Sequence, residues 1–208
     1  MNPFRFEKEI AAFEEEDRRN PPRPGVILFT GSSSITHWNR QLPADMAPLP
    51  VVGRGFGGST MADLLEVAER IIPPWVPRAV VVYEGDNDLA AGRTVEAVAG
   101  DFERFIGWLF ERCPAVRLYL LAVKYSPARR SLWPLMRALN ERLAARCAAE
   151  QNLFFVDTAT PLMTENGEAR QELYGADGLH LNEAGYAVWR EIIRSALLAR
   201  EFQEIAKT

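Results

Sequence analysis

Hydrophobic residues in this chain are concentrated in five short runs, separated by longer stretches of mixed polarity. The runs occupy residues 26–29, 49–52, 79–83, 117–123 and 153–156. Nearly every position within a run is apolar, so the alternation of a strand with one exposed face is missing. Continuous short apolar runs are typical of strands buried on both faces of a sheet. The pattern therefore predicts five buried strands.

Helical spacing begins before the first strand. Phe6, Ile10 and Phe13 follow one another at intervals of four and three residues, which predicts an amphipathic helix within residues 1–20. The proline-rich segment 21–25 ends this helix, which we expect to brace the domain. Further helices are predicted after the five strands, around residues 35–38, 64–68, 95–109, 135–143 and 189–197.

Capping and breaking residues mark where several of these helices begin and end. Ser59 or Thr60, Thr94 and Asn182 have the short polar side chains that cap helix N-termini. Prolines within residues 73–77 are expected to end the second of the inter-strand helices. These signals place the helix boundaries between the predicted strands.

Strands that alternate with helices predict a parallel sheet with helices on both faces. Right-handed crossovers make this a doubly wound α/β sandwich. The chain has 208 residues, of which 48% are hydrophobic and 25% charged, as in an ordinary globular protein. We therefore predict that residues 1–208 form a single α/β domain.

The charge and cysteine content exclude several classes of function. The net charge is −4 and no basic stripe is present, so nucleic acid is not expected as a partner. Cys113 and Cys147 stand far apart without zinc-type spacing and are expected to be buried free thiols. Residues 1–20 lack the apolar core of a signal peptide, and no apolar run is long enough to cross a membrane. We therefore expect a cytoplasmic protein.

Polar and glycine-rich loops follow the first three predicted strands. They carry Ser33, Gly58 and Asn87, respectively, and the second of them is predicted as a glycine-rich turn over residues 53–58. The carboxyl ends of parallel strands lie at one edge of a sheet, where ligands bind in such folds. Asp177 and His180 precede the last helix, in a segment that can fold over the same edge. The sequence thus predicts one site built from all these loops.

The residue types at this edge point to acyl-transfer chemistry. A serine hydroxyl is a weak nucleophile and needs an adjacent base, for which His180 is suited. Asp177, three residues upstream, can bind Nδ1 of the imidazole and leave Nε2 free. The backbone amides of Ser33 and Gly58, together with the side-chain NH₂ of Asn87, can donate to a developing oxyanion.

Other interpretations of these segments are open at this point. Each polar loop alone could be only a turn or a helix cap, which would leave a non-catalytic module that binds a ligand at the same edge. An α/β-hydrolase turn would require a glycine where Ile35 stands. A metal site is not supported, since His37 and His180 are the only histidines and neither belongs to a metal-binding motif.

Four segments together resemble the four blocks of the SGNH (GDSL-type) hydrolase superfamily, which supply serine, glycine, asparagine and histidine. Residues 29–36 (FTGSSSIT) resemble the first block and residues 55–59 (GFGGS) the second. Residues 85–88 (GDND) resemble the third block, and residues 177–182 (DGLHLN) the last. The resemblance extends over residues 26–200, nearly the whole chain.

The resemblance implies a three-layer α/β/α sandwich of the flavodoxin-like type, with a five-stranded parallel sheet. It implies Ser33 as nucleophile and His180 as base, oriented by Asp177. Ser33, Gly58 and Asn87 would supply the oxyanion hole. No metal or organic cofactor is implied, and the expected partner is a small-molecule ester.

One position departs from the family pattern. The first block usually reads Gly-Asp-Ser, and here Ser32 replaces the aspartate that helps to order the turn. Aligning Gly31 and Trp38 with the family pattern places the nucleophile at Ser33, with Ser34 as the alternative.

The sequence thus predicts a serine esterase or acylhydrolase that forms an acyl-enzyme intermediate. An acyltransferase with the same site and the non-catalytic module are the alternatives. Lys124 and Arg129 lie in the loop after the fourth strand and could meet an anionic group of the substrate, but we expect them to be solvated. The acyl chain and the oligomeric state are not indicated by the sequence.

Overall fold

A computed structural model of the chain describes residues 5–72 and 76–205. Its centre is a five-stranded sheet in the order β2-β1-β3-β4-β5, with every neighbouring pair parallel. The strands are β1 (Ile27–Gly31), β2 (Val51–Gly55), β3 (Ala79–Tyr83), β4 (Arg117–Leu121) and β5 (Leu153–Val156). This is the flavodoxin-like strand order, so the predicted fold class is confirmed.

Helices connect the strands and cover the sheet. In chain order they are α1 (Glu7–Arg19), α2 (Ser33–Trp38), α3 (Leu42–Asp45), α4 (Met61–Ile71), α5 (Asp86–Ala90), α6 (Val95–Arg112), α7 (Trp133–Ala148) and α8 (Glu183–Ile205). Short 3₁₀ helices span Pro127–Leu132, Thr160–Leu162 and Gln171–Leu173. No helix within the described ranges is both long and apolar enough to cross a membrane.

Two hydrophobic cores lie on opposite faces of the sheet, which gives the molecule its three layers. Successive residues of β1 alternate between them: Leu28 packs with α4, α6 and α7, whereas Ile27 and Phe29 pack with α2 and α8. Strands buried on both faces explain why the sequence shows continuous apolar runs and no alternation.

Capping residues fix several helix starts where the sequence places them. The Thr60 hydroxyl and the Asp63 carboxylate form a reciprocal capping box at α4. The Thr94 hydroxyl accepts from the amide of Ala97 at α6. Asn182 accepts from a backbone amide at the start of α8. Pro73 and Pro74, predicted to end α4, lie outside the described residues.

Helix α1 packs against α4. Phe6 and Ile10 are buried in the core on that side of the sheet. Arg70 of α4 donates to the carboxylates of Glu7 and Glu14 at 2.7–3.0 Å. The N-terminal helix is thus attached to the rest of the fold by apolar and ionic contacts.

The glycine-rich turn predicted from residue 53 begins later than the sequence suggests. Strand β2 continues through Gly55, so the turn proper follows this residue. A Cβ atom at Gly55 would lie only 2.3 Å from the backbone nitrogen of Thr36 in α2. Glycine is needed at this position because a helix crosses close to the strand, and not because the chain turns there.

Candidate active site

The chain leaves β1 through a tight turn that places Ser33 at the start of α2. Gly31 has a φ of +132°, and a Cβ atom there would lie 2.1 Å from the carbonyl oxygen of Tyr83. The amide of Ser32 donates to that same carbonyl at 3.1 Å. Only glycine fits this exit from the sheet, and the serine that follows stands at the first turn of a helix.

Three side chains form a hydrogen-bonded series across the carboxyl edge of the sheet. The Oγ atom of Ser33 lies 2.9 Å from Nε2 of His180. Nδ1 of the same ring lies 2.6 Å from Oδ2 of Asp177. The order serine–imidazole–carboxylate is the arrangement in which a histidine can remove a hydroxyl proton while a carboxylate stabilises the imidazolium.

The Asp177 carboxylate is held by its own loop. Its Oδ1 atom accepts from the backbone amides of Leu179 at 2.9 Å and His180 at 3.0 Å. The bonds from the His180 ring and from these two amides hold the pKa of Asp177 well below its usual range. The carboxylate is therefore charged when it faces the imidazole.

Ser34, the alternative nucleophile, faces a different group. Its hydroxyl is buried and accepts from Nζ of Lys124 at 3.3 Å. Its carbonyl accepts from the Tyr186 hydroxyl at 2.8 Å. The structure thus brings Ser33, and not Ser34, to the imidazole.

The glycine turn and Asn87 are joined to each other beside Ser33. Asn87 lies in the first turn of α5, and its Nδ2 donates to the carbonyl of Ser59 at 2.9 Å. Gly58 precedes Ser59, and a Cβ atom on Gly57 would lie 4.0 Å from that of Ser33. The segment predicted as a loop at Asn87 is therefore a short helix, linked through Ser59 to the turn that adjoins the serine.

A buried ionic cluster lies behind these residues, and the sequence analysis missed it. Nζ of Lys124 lies 3.1 Å from Oδ2 of Asp86 and 3.0 Å from the Tyr83 hydroxyl. Arg129 reaches the same Asp86 oxygen at 3.2 Å. The expectation that Lys124 and Arg129 are solvated was wrong, since their side chains are 1% and 18% exposed.

Lys124 is buried because it pairs with a carboxylate from a different part of the chain. Asp86 follows β3 and Lys124 follows β4, and adjacent strand ends bring the two charges together. Both residues follow predicted strands, and this position in the sequence is the signal from which the pair could have been predicted. Burial alone would raise the pKa of Asp86, but the charges of Lys124 and Arg129 outweigh it, so this pKa lies below its usual value.

Two further residues, Ser32 and His37, belong to the surroundings of Ser33 and His180. The Ser32 hydroxyl, where the resemblance leads one to expect a carboxylate, is buried without a hydrogen-bond partner among the described residues. The ring of His37 lies 4.5 Å from that of His180, centroid to centroid. Burial, and after it the charge of His180, lower the pKa of His37. Nowhere in the described ranges do three histidine, cysteine or acidic side chains gather as metal ligands.

Loss of the Lys124 ammonium should destabilise the fold. In Lys124→Met, Asp86 keeps a buried charge with only Arg129 to compensate it. We expect the free energy of unfolding to fall by about 3 kcal/mol, as when one partner of a buried ion pair is removed. Urea denaturation followed by circular dichroism measures this, with Lys8→Met on the exposed face of α1 as the matched control. Equal stability of the two variants would contradict the prediction.

Comparisons with known proteins found a matching family model and solved structures of similar fold. The model of the GDSL-like lipase/acylhydrolase family matches residues 21–188. A proposed platelet activating factor from Streptococcus pneumonia is 22% identical, with a TM-score of 0.80 over 92% of both chains. A GDSL-like lipase from Bacteroides thetaiotaomicron is also 22% identical, with a TM-score of 0.75 over 94% of this chain and 97% of that one.

A third solved structure of similar fold is a carbohydrate esterase. The family 3 carbohydrate esterase of Clostridium thermocellum is 18% identical, with a TM-score of 0.65 over 85% of this chain and 98% of that one. At these identities the solved structures establish a shared fold. Comparison with curated proteins gave no match.

Proposed function

Because the chain belongs to the GDSL-like lipase/acylhydrolase family and is a hydrolase of ester bonds, we propose that it is a serine esterase that works through an acyl-enzyme intermediate. The observation that carries the proposal is the 2.9 Å contact between Oγ of Ser33 and Nε2 of His180. An imidazole nitrogen this close to a serine hydroxyl can act as its general base.

The proposed reaction begins at Ser33. Its Oγ attacks the ester carbonyl while Nε2 of His180 takes the hydroxyl proton. Asp177 accepts from Nδ1 and so holds the tautomer whose Nε2 carries a lone pair. The imidazolium then protonates the leaving alcohol, and the same nitrogen activates water to hydrolyse the acyl-enzyme.

The tetrahedral intermediate needs donors that are already in place. We assign this role to the backbone amides of Ser33 and Gly58 and to the side-chain amide of Asn87. One N–H of Asn87 Nδ2 is bonded to the Ser59 carbonyl, and a second remains for a ligand. The N-terminal end of α2 adds a favourable field for negative charge near Ser33.

Solvent access favours water as the acyl acceptor. The side chains of His180 and Asp177 are 25% and 52% exposed. The base therefore borders on solvent from which a water molecule can reach the acylated serine. This exposure supports hydrolysis over transfer to a bound alcohol.

A fluorophosphonate probe tests the proposal directly. We expect the wild-type protein to be labelled at a single residue, Ser33, because only a serine with an adjacent base reacts with such probes at an appreciable rate. Mass spectrometry of the labelled peptide identifies the site. Ser34→Ala should still be labelled, whereas Ser33→Ala should not. Absence of labelling in the wild type would identify a non-catalytic binding module and refute the proposal.

A further inference from the structure

We propose that Arg129 is a positioning residue for the oxyanion donor Asn87, fixing the side-chain amide so that an N–H faces the reacting carbonyl. The inference rests on the proposed function, because it concerns the same site. Its basis is a hydrogen bond from Nη2 of Arg129 to Oδ1 of Asn87 at 2.8 Å. None of the catalytic steps above uses this contact.

The chemistry of the two neighbours determines how the amide is oriented. A guanidinium group only donates, so it must face the oxygen of the Asn87 amide. The Ser59 carbonyl only accepts, so it must face the nitrogen, which it does at 2.9 Å. Rotating the amide by 180° would set NH₂ against the guanidinium and oxygen against the carbonyl, losing both bonds. The two contacts therefore allow one orientation.

The orientation matters because the wrong one is harmful to the reaction. With the nitrogen toward the site, Asn87 donates to the developing oxyanion. With the oxygen there, a partial negative charge would face the oxyanion and oppose its formation. Without Arg129 only the bond to Ser59 would oppose rotation.

Arg129 is itself held by an ion pair and by the backbone of its segment. Its Nη1 lies 3.2 Å from Oδ2 of Asp86, an oxygen that Lys124 also contacts. The amide of the preceding residue, Ala128, donates to the carbonyl of Gly178 at 3.0 Å. The segment carrying Arg129 is thus attached to the loop of Asp177 and His180. The 3₁₀ helix Pro127–Leu132 therefore contacts both Asn87, the proposed oxyanion donor, and the loop that carries His180.

The planar guanidinium suits this role better than a lysine would. It donates to Asn87 and approaches Asp86 through different nitrogens at the same time. Its positive charge beside Oδ1 also polarises the amide and makes the N–H a stronger donor. An ammonium group at this position could pair with Asp86 but would hold the amide less well.

The test is a comparison of steady-state kinetics on a neutral short-chain ester. Arg129→Met should lower kcat by roughly 10- to 100-fold. This loss is smaller than that expected when an oxyanion donor is removed outright, which is on the order of 10²–10³-fold. KM should stay nearly constant, since the oxyanion exists only in the transition state. Arg129→Lys should recover part of the loss. Arg130→Met, a neighbouring exposed arginine paired with Glu168, is the control and should be unchanged.

A double-mutant cycle with Asn87→Ala separates positioning from a general structural role. If Arg129 acts through Asn87, adding Arg129→Met to Asn87→Ala should change kcat less than about twofold. The same loss in both backgrounds would overturn the proposal. Arg129→Lys keeps a charge beside Asp86, so the cycle can be run with this variant if Arg129→Met does not fold.

Two other outcomes would count against the proposal in distinguishable ways. A rise in KM that appears only with an anionic ester would show that Arg129 binds substrate. Full activity of Asn87→Ala would remove Asn87 from the oxyanion hole, and Arg129 with it, while the serine mechanism would stand. The esterase mechanism itself would be refuted by a different result, the absence of Ser33 labelling in the wild type.

Discussion

Replacing Ser33 by alanine should lower kcat for a carboxylic ester by on the order of 10⁴–10⁶-fold, the range found when a serine nucleophile is removed from such a site. The loss is large because, in the proposed mechanism, Oγ is the attacking atom, and it lies 2.9 Å from Nε2 of His180. The oxyanion donors would remain, so a small residual rate above that of water is expected.

The variant should fold normally, which makes the kinetic result easy to interpret. The Ser33 side chain is only partly buried, and its hydroxyl faces the imidazole and not the core. Initial rates with an activated acetyl ester, checked against an unchanged urea midpoint, measure the effect. Retention of the full wild-type rate would exclude Ser33 as the nucleophile.

Asp177→Asn should cost about 10⁴-fold in kcat, the loss that follows when the histidine is held in the wrong tautomer. The local geometry dictates the orientation of the new side chain. Backbone amides of Leu179 and His180 donate to Oδ1, so the asparagine must turn its oxygen toward them. Its NH₂ group then faces Nδ1 of the imidazole and donates to it. The ring proton is forced onto Nε2, which can no longer accept the proton of Ser33.

A second aspartate in the chain provides a matched control. Oδ1 of Asp157 also accepts from two backbone amides, those of Ala159 at 3.1 Å and Thr160 at 2.9 Å. Asp157→Asn makes the same chemical change in a similar turn that takes no part in the proposed mechanism, and kcat should be unaffected. Steady-state kinetics of both variants measure the difference. Equal kcat values for the two would show that the carboxylate of Asp177 is not needed to orient the base.

The sequence was sufficient for features that depend on local pattern. Each of the five apolar runs overlaps one strand, although the second run ends at residue 52 and β2 continues to Gly55. The agreement is closest for β1 and β3, which are buried on both faces and have no polar side. Thr94 and Asn182 were recognised as caps from residue type and from the periodic helix that follows each. Such signals are carried by neighbouring residues and need no knowledge of tertiary contacts.

Features that depend on packing between distant segments could not be derived in this way. The sequence predicts Gly55 as part of a turn, although a crossing helix is what requires glycine there. Lys124 looked like an ordinary loop charge, and its burial depends on Asp86, which follows a different strand. The hydrogen bond between Arg129 and Asn87 joins residues 42 positions apart, and no local sequence pattern indicates it. Adjacent strand ends indicated which loops could meet, but not which side chains would pair.

The separation of Ser33 and His180 by 147 positions has a consequence for when the site forms during synthesis and folding. Contacts so distant along the chain form late, because a long loop must close before they stabilise anything. During synthesis from the N-terminus Ser33, the proposed nucleophile, leaves the ribosome early, and His180, its proposed base, emerges only with the segment before α8. A nascent chain that ends before this segment therefore carries Ser33 without His180, and on the proposed mechanism it has no esterase activity. On the same mechanism, activity begins when the C-terminal segment docks onto the sheet.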